Sequence, residues 1–169
     1  MAPDSSVKEL FDRYSDMVYR IAVSYGKNVY IAEEVVQEVF LRYLRKKPHF
    51  ESGEHEKARF IRVAVNCCKS MLNTAWMKHT RPLEEAGQAV DFSGQNEEHE
   101  LFEMLSELPA KYRIVLYLRY YEEYQVKEIA KLLGITPNLV SARLVRAKKL
   151  LKQKLLTDME GIGNEAGNI

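Results

Sequence analysis

Apolar residues recur every three to four positions over most of the chain, which is the spacing of amphipathic helices. No segment shows the apolar–polar alternation that predicts a half-buried strand. The pattern predicts three helices in the first half, at residues 6–25, 30–47 and 57–77, and four in the second half, at 96–108, 109–121, 126–133 and 137–156. We therefore predict an all-α fold.

Each of these helices carries an apolar stripe that we expect to be buried. We expect Gly26 and Pro48 to end the first two helices, residues 48–56 to form a loop, and Pro109 to take the favoured first position of its helix. The main stripes are Leu10, Tyr14, Val18, Ile21 and Tyr25; Ile31, Val35, Val39, Phe40 and Leu44; Ile61, Ala64, Val65, Cys68, Met71, Leu72 and Ala75; and Val140, Leu144, Ala147 and Leu151.

One segment without a sustained period divides the chain. Residues 79–96 contain Pro82, Gly87 and Gly94, which predicts a flexible linker. We expect two small helical domains: one of three to four helices at 1–78, and one containing a helix-turn-helix at 97–157. Glycines near the C-terminus predict a disordered tail at 158–169.

The net charge of +1 is informative only when it is resolved along the chain. Residues 57–81 hold six bases and no acid, 82–110 hold eight acids and no base, and 136–156 hold six bases and no acid. Phosphate-binding surfaces are local, so two basic segments flanking an acidic linker favour a nucleic-acid partner. The sequence shows neither a signal peptide nor a membrane-spanning stretch, and we expect a cytoplasmic protein with Cys67 and Cys68 as reduced packing residues.

Residues 126–140 form the clearest motif. Gly134 suits the sharp turn after a short amphipathic helix, Ile135 can plug the corner, Thr136 can cap the next helix, and Pro137 can open it. This is a helix-turn-helix, whose second helix usually enters the major groove of DNA. A helical hairpin with a purely structural role would not require its second helix to carry six basic residues and no acidic one.

The helical wheel assigns a DNA-facing side to that second helix. Val145 suits a thymine methyl group, and Arg146 suits guanine or phosphate. Arg143 lies near the edge of the core, where either an ion pair with Glu128 or a base contact is open to it. The candidate contacts are Thr136, Asn138, Ser141, Ala142, Val145, Arg146, Lys148 and Lys149.

The third helix has a second candidate face, opposite its buried stripe. Amides can pair with base edges, an indole can stack on a base, and cations can follow phosphates, which together suit single-stranded DNA. An ordinary solvated basic face is the alternative. The residues are Arg59, Arg62, Asn66, Lys69, Asn73 and Trp76.

The polar face of the second helix contains one exposed apolar residue, Leu41. It lies among Glu34, Gln37, Glu38 and Arg45, and this pattern hints at a docked partner, although single exposed leucines are common.

Three segments, in order along the chain, resemble the sigma-70 family of RNA polymerase sigma factors. Residues 31–42 resemble the polymerase-docking segment, 60–66 the helix that captures the −10 promoter element, and 105–119 with the helix-turn-helix the domain that reads the −35 element. The likeness covers roughly residues 7–156. Because only a linker separates the two domains, it implies the extracytoplasmic-function subgroup.

The resemblance implies roles for the matching positions. Asn66 would take up a flipped base of the non-template strand, and the face around Gln37 and Glu38 would dock on the clamp helices of the polymerase β′ subunit. The acidic linker would thread toward the active site and RNA exit channel. The implied partners are core RNA polymerase, including the β flap, promoter DNA and an anti-sigma factor.

Some positions depart from the family pattern. Arg59 occupies a position where many members have Trp, and Ser141 one where Arg or Lys is frequent. Gln125 replaces the usual Ser or Thr cap. The change at Arg59 leaves open how the promoter-melting loop of the first domain packs. The change at Ser141 leaves open which −35 sequence is preferred.

Two other classes of function compete with this interpretation. A two-domain regulator could bind an operator through the helix-turn-helix without polymerase, but it would not require a basic, amide-rich third helix. An enzyme would need a reactive constellation, yet the four histidines follow no recognisable metal-ligand spacing. We therefore predict no enzymatic activity, cofactor, metal site or small-molecule substrate.

Overall fold

The computed structural model describes residues 3–26, 28–78 and 105–166, and the side chains of 7–26, 28–73 and 105–159. These residues form helices and short connections with no strand among them, which confirms the all-α prediction. The predicted linker at 79–96 lies outside the described residues, as do positions 97–104 of the predicted fourth helix. The chain divides into two compact units, which are taken separately below.

The first unit is a bundle of three helices: α1 (Pro3–Gly26), α2 (Val29–Lys46) and α3 (Gly53–Lys78). Each helix packs against the other two. The apolar stripes meet in one core, so burial of these side chains holds the bundle together. The fully buried side chains include Val18, Ile21, Val35, Val39, Ile61 and Val65.

Polar side chains and backbone turns set the ends of α2. The Asn28 side-chain oxygen accepts the backbone N–H groups of Tyr30 and Ile31 at 2.9 and 3.3 Å, which caps the N-terminus. At the other end Lys47 adopts a left-handed backbone with φ 39°, and its N–H donates to the Tyr43 carbonyl at 2.8 Å. The chain then leaves the helix at Pro48, where the sequence predicted the end.

α3 begins at Gly53, so the predicted loop at 48–56 is too long. The Ser52 hydroxyl oxygen accepts the N–H of His55 at 3.1 Å, and the Ser52 carbonyl accepts that of Glu56 at 3.0 Å. The His55 Nδ1 accepts the N–H of Glu51 at 3.2 Å in return. These side-chain caps start the helix before its apolar period becomes visible.

The predicted burial of Leu44 is wrong, because its side chain is 42% exposed. Leu44 follows Gln37 by seven residues, or nearly two helical turns, and therefore shares the outer face of α2. Ala32 takes a place in the buried stripe instead. Five other predicted core residues are only half-buried: Tyr25, Ile31, Met71, Leu72 and, on the last helix, Leu151.

The second unit contains α4 (Ala110–Leu116), a π-helical segment (Tyr117–Tyr121), α5 (Val126–Leu133) through Lys131, and α6 (Pro137–Ala166). α4 and α6 pack against each other. The fully buried side chains Leu108, Ile114, Leu118, Ile129 and Val140 come from every part of this unit, so one core joins its elements.

Pro109 is the cap of α4 and not its first residue as predicted, because its ψ of 148° is extended. Its carbonyl accepts the N–H groups of Tyr112 and Arg113 at 3.0 and 3.2 Å. The buried Arg113 guanidinium donates to the carbonyls of Leu108 and Ser106. These bonds fix the turn before α4.

The regular helix predicted through residue 121 widens into a π-helix after Leu116. The Tyr124 N–H reaches the Leu118 carbonyl at 2.9 Å, and the Tyr117 hydroxyl donates to the Glu122 carboxylate at 2.7 Å. Glu123 then turns the chain with a positive φ of 60°. The periodicity did not predict this segment.

The helix-turn-helix forms as predicted. Gly134 has a left-handed φ of 69°, and the Thr136 Oγ1 accepts the N–H of Leu139 at 3.2 Å. The Glu128 carboxylate accepts the N–H of Gln125 at 3.3 Å, which supplies a cap where Gln replaces the usual Ser or Thr. α6 continues to Ala166, past the predicted end at 156 and through most of the segment predicted as a disordered tail.

Candidate nucleic-acid interface

The polar face predicted for α3 is present in the first unit. Arg62, Asn66, Lys69 and Asn73 are exposed at steps of three and four residues, and Arg59 is half-buried. On the opposite side Ile61, Ala64, Val65 and Cys68 are buried. The Trp76 side chain lies outside the described side chains. The face therefore runs along α3 at the surface, with its centre at Asn66.

A cavity of about 220 Å³ opens beside this face. It is smaller than the roughly 300–1,000 Å³ typical of sites for drug-sized ligands. It brings together Arg59, Arg62 and Asn66, whereas Lys69 and Asn73 lie farther along α3 and outside it. The lining also includes Val39, Arg42, Tyr43, Lys46, Pro48, Phe50, Phe60 and Val63.

Four of the lining residues are cations and three are aromatic. Arg42 and Lys46 come from the end of α2, and together with Arg59 and Arg62 they surround the cavity with positive charge. Tyr43 and Phe50 stack with an interplanar angle of 7° and ring centroids 6.3 Å apart. The cavity thus offers ring faces, an amide and cations, the groups that bind unpaired bases and their phosphates.

Sequence reasoning missed Arg42, Tyr43, Lys46 and Phe50 as site residues. The only available signal was the four-residue spacing of Arg42 and Lys46 at the basic end of α2. The loop that carries Phe50 gives no such signal, because a loop position has no helical face.

Phe60 connects the cavity to the core of the bundle. Its ring is buried and stacks on Tyr14 with centroids 4.7 Å apart, and it also contacts Phe40 at 5.4 Å, Tyr43 at 5.8 Å and Phe50 at 6.3 Å. The shape of the cavity therefore depends on how these aromatic rings pack.

The outer face of α2 carries the predicted docking residues. Glu34, Gln37 and Leu41 are exposed, and Leu44 extends the same stripe at the next three-residue step. Glu38 is half-buried at its edge, where its carboxylate accepts from Arg42 Nε at 3.0 Å. Leu41 and Leu44 form an apolar centre between polar residues, and Leu44 was not predicted as a member of this surface.

The outer side of α6, in the second unit, carries the second set of predicted DNA contacts. Asn138 and Lys148 are exposed, and so are five further residues of this side, among them Val145 with 62% of its surface accessible. The Thr136 side chain is also exposed, but its oxygen is engaged as the helix cap. The group of five lines one shallow surface depression: Ser141, Ala142, Val145, Arg146 and Lys149.

Arg143 and Glu128 do not form the ion pair that was one of the two alternatives for Arg143. The Glu128 carboxylate caps α5 instead, and no salt bridge joins it to Arg143 in the described part of the chain. Lys148, in contrast, has an unpredicted neighbour: its Nζ lies 5.3 Å from the centroid of the Tyr120 ring.

The two cysteines are free and buried, as expected for packing residues. Burial raises the pKa of Cys67 and raises that of Cys68 to about 12, so both thiols stay protonated. Among the described residues no cluster of three or more His, Cys, Asp or Glu could hold a metal ion. None of the described helices is long and apolar enough to cross a membrane.

Family models match both units. The model for sigma-70 region 2 matches residues 10–77, and the model for sigma-70 region 4 matches residues 98–151. RNA polymerase sigma factor SigV of Bacillus subtilis is 32% identical over 142 residues, which are 81% of this chain and 83% of that protein. The ECF RNA polymerase sigma factor SigM of the same organism is 30% identical over 156 residues, which are 87% and 93%.

Two solved structures have a similar fold. One is the sigma factor RpoE in complex with the anti-sigma factor NepR from Bartonella quintana, with a TM-score of 0.70, 19% identity and coverage of 89% of this chain and 97% of that one. The other is CnrH in complex with the cytosolic domain of CnrY, with a TM-score of 0.65, 20% identity and coverage of 93% and 92%.

Proposed function

The chain belongs to the extracytoplasmic-function sigma factors of the sigma-70 family, and on that premise we propose how its surfaces divide the work of directing RNA polymerase to promoters. α3 and the cavity beside it capture unpaired bases of the −10 element. The outer side of α6 reads the −35 element as duplex DNA. The outer face of α2 docks on the polymerase. Each of these steps is a binding event that needs no catalytic side chain.

The observation that carries the −10 assignment is the position of Asn66. Its side chain is exposed at a cavity whose walls combine four cations with three aromatic rings. A duplex base pair presents only its edges in the grooves, whereas a single base turned out of the stack can place its ring in a cavity. The amide can then pair with the base edge while the cations hold the adjacent phosphates.

The −35 assignment rests on the form of α6. Its outer side is exposed, and its residues there are amide, hydroxyl, methyl and cationic groups of the kinds that read base edges in the major groove. Residues of the shallow depression can contact bases, and Asn138 and Lys148 lie beside it to contact bases or backbone. Arg146 is the candidate for a base contact and Lys149 for a phosphate contact.

Docking is assigned to the stripe of Glu34, Gln37, Leu41 and Leu44, with Glu38 at its edge. Exposed leucines surrounded by polar groups are typical of the centre of a protein–protein interface. The clamp helices of the polymerase β′ subunit are the proposed partner of this stripe, and the β flap is the proposed partner of the second unit.

An anti-sigma factor is the further partner proposed for the chain. The sigma factor RpoE and the protein CnrH, which share its fold, were each solved with a protein partner, and the partner of RpoE is an anti-sigma factor. We place the action of the chain in the cytoplasm, where the polymerase and promoters are. An operator-binding regulator is not favoured, since it would leave the cavity of α3 without a role.

The −10 proposal is tested by Asn66→Ala in holoenzyme assembled from the full chain and core polymerase. We expect open-complex formation, followed by permanganate reactivity of the −10 thymines, to fall about tenfold or more, as two lost hydrogen bonds to the base would imply. Part of the defect should persist on a template with a pre-melted −10 bubble, because base capture is lost along with help in opening.

The thermal melting of the Asn66→Ala protein should match that of the parent, since exposed substitutions usually change stability by less than about 0.5 kcal/mol. Gln153→Ala removes an exposed amide from α6 and serves as the matched control. Leu41→Glu should instead reduce binding to core polymerase itself. Normal promoter opening by Asn66→Ala, or a large fall in its melting temperature, would contradict the −10 assignment.

A further inference from the structure

The first turn of α3 is tied to α1 by a hydrogen-bonded cluster. The Glu56 Oε1 accepts the Tyr14 hydroxyl at 2.7 Å and the Arg13 Nη1 at 3.0 Å. Arg13 is the exposed member, with 58% of its side chain accessible, whereas the Glu56 side chain is 16% accessible. The bonds span more than forty residues of sequence and join two separate helices.

The same tyrosine also contacts α3 through its ring. The Tyr14 ring is buried and stacks on Phe60, with ring centroids 4.7 Å apart and an interplanar angle of 22°. Because Glu56 and Phe60 are four residues apart on α3, they lie on one face of that helix in consecutive turns. Tyr14 therefore holds α3 at two points, by its hydroxyl and by its ring.

Two contacts in consecutive turns restrict how a helix can rotate about its own axis. The groups fixed by this restriction include Phe60 itself, Arg59, Arg62 and Asn66, all of which line the cavity. Burial and the hydrogen bond to Glu56 raise the pKa of Tyr14 to about 12, so its hydroxyl stays protonated and remains a donor.

We propose that Tyr14 and Glu56 are positioning residues for the −10 base: by fixing the rotation of the first turns of α3, they set the shape of the cavity and hence which base it accepts. This inference rests on the proposed function of the cavity. Neither residue lines the cavity, so neither is proposed to touch DNA. Their effect passes through Phe60 and the α3 backbone.

The test uses holoenzyme and promoter templates that differ at one −10 position of the non-template strand. The parent protein is first measured with all four bases at each −10 position, and the position with the strongest base preference is chosen. The readout is the ratio of open-complex formation rates between the best and the worst base. A ratio compares templates within one preparation, so a lower fraction of folded protein does not change it.

We expect Tyr14→Phe to reduce this ratio about three- to tenfold, the range that one hydrogen bond would support. Glu56→Gln keeps an acceptor for the tyrosine but loses the charge that binds Arg13, so its loss should be smaller. Tyr14→Phe with Glu56→Gln should be no worse than Tyr14→Phe alone, because both act through one cluster. Binding to core polymerase should not change.

Tyr19→Phe is the matched control, since it makes the same change elsewhere on α1 and should keep the parent ratio. An unchanged ratio in Tyr14→Phe overturns the positioning role. Asn66→Ala distinguishes a failure of the positioning role from a failure of the cavity to select the base. If Asn66→Ala lowers the base preference and Tyr14→Phe does not, only the positioning role fails. If neither variant changes the base preference, the cavity does not select the base and both proposals fail.

Discussion

The two helices proposed to contact DNA present opposite kinds of surface. α3 runs beside a cavity that α2, the loop after it and α3 itself enclose, and its central Asn66 lies at that cavity. α6 presents Val145, Arg146 and Lys149 on an exposed side with only a shallow depression. The first surface is concave and draws on three segments of the chain, whereas the second is convex and belongs to one helix.

The difference follows from the form of DNA that each helix is proposed to bind. A base pair in the major groove is read by a protruding helix, because the groove itself is the concave partner. A base taken out of the stack needs a concave site on the protein, with ring faces and an edge-reading group. We infer that the cavity surface is sensitive to core packing, while the α6 surface tolerates substitution without loss of fold.

The largest effect that would test this contrast is expected from Phe60→Ala. The Phe60 ring is buried among Tyr14, Phe40, Tyr43 and Phe50, and removing such a ring typically lowers the free energy of unfolding by about 3–5 kcal/mol. The cavity would also change shape, so −10 base preference should fall with stability. Denaturant unfolding and open-complex assays on the same preparation measure both.

Val145→Ala is the counterpart on α6. Its side chain is 62% exposed, so we expect the free energy of unfolding to change by less than about 0.5 kcal/mol. If Phe60→Ala were as well tolerated as Val145→Ala, the cavity would not depend on core packing and the contrast would be lost.

The next effect in size is expected from Arg146→Ala on the convex surface. If Arg146 makes a bidentate contact with a base, its loss should cost about 1–3 kcal/mol of binding free energy and relax the preference at one base pair of the −35 element. Competition binding to duplexes that vary one position at a time measures this. Stability should stay near that of the parent.

Lys149→Ala gives the contrasting behaviour from the same surface. As a phosphate contact it should weaken binding to every sequence alike and lower the slope of log affinity against log salt by about one unit. A uniform loss in Arg146→Ala would show that Arg146 is a phosphate contact as well.

The contrast between the surfaces also explains what the sequence could predict. The buried and exposed sides of α6 and α3 were predicted for most positions because a helical wheel needs only one helix, and Val140 and Ala147 are buried where the wheel placed them. The cavity was not predicted, because Arg42, Phe50 and Asn66 meet only through the packing of α2, a loop and α3. The spacing of residues within one helix does not show which side chains from separate segments come together.

The errors have similarly local causes. Leu44 was placed in the core because it continues an apolar spacing from Phe40, yet it lies on the outer face with Leu41. α3 starts early because the Ser52 hydroxyl oxygen accepts the N–H of His55 and the His55 ring accepts that of Glu51, a signal weaker than an apolar stripe. α6 runs to Ala166 because no proline interrupts it, although its glycines suggested a tail.

An effect smaller than that of Arg146→Ala is expected from the caps that begin the two helices, Ser52 for α3 and Thr136 for α6. Each hydroxyl oxygen accepts an N–H from the first turn, at 3.1 Å from His55 and at 3.2 Å from Leu139. Replacing either by Ala should lower the free energy of unfolding by about 1 kcal/mol, as for other hydroxyl caps. Thermal melts of the two variants and the parent measure this.

Aspartate at the same positions separates capping from DNA contact. Asp is a good cap and suits the positive end of a helix, so Ser52→Asp and Thr136→Asp should both keep the parent stability. Thr136 begins the helix proposed to enter the groove, where a carboxylate would be repelled by phosphates, so Thr136→Asp should weaken −35 duplex binding. Ser52 is outside both proposed DNA contacts, and Ser52→Asp should bind that duplex as the parent does. Equal binding by both variants would mean that the start of α6 stays clear of the DNA backbone, and the proposed groove contacts would then have to begin farther along that helix.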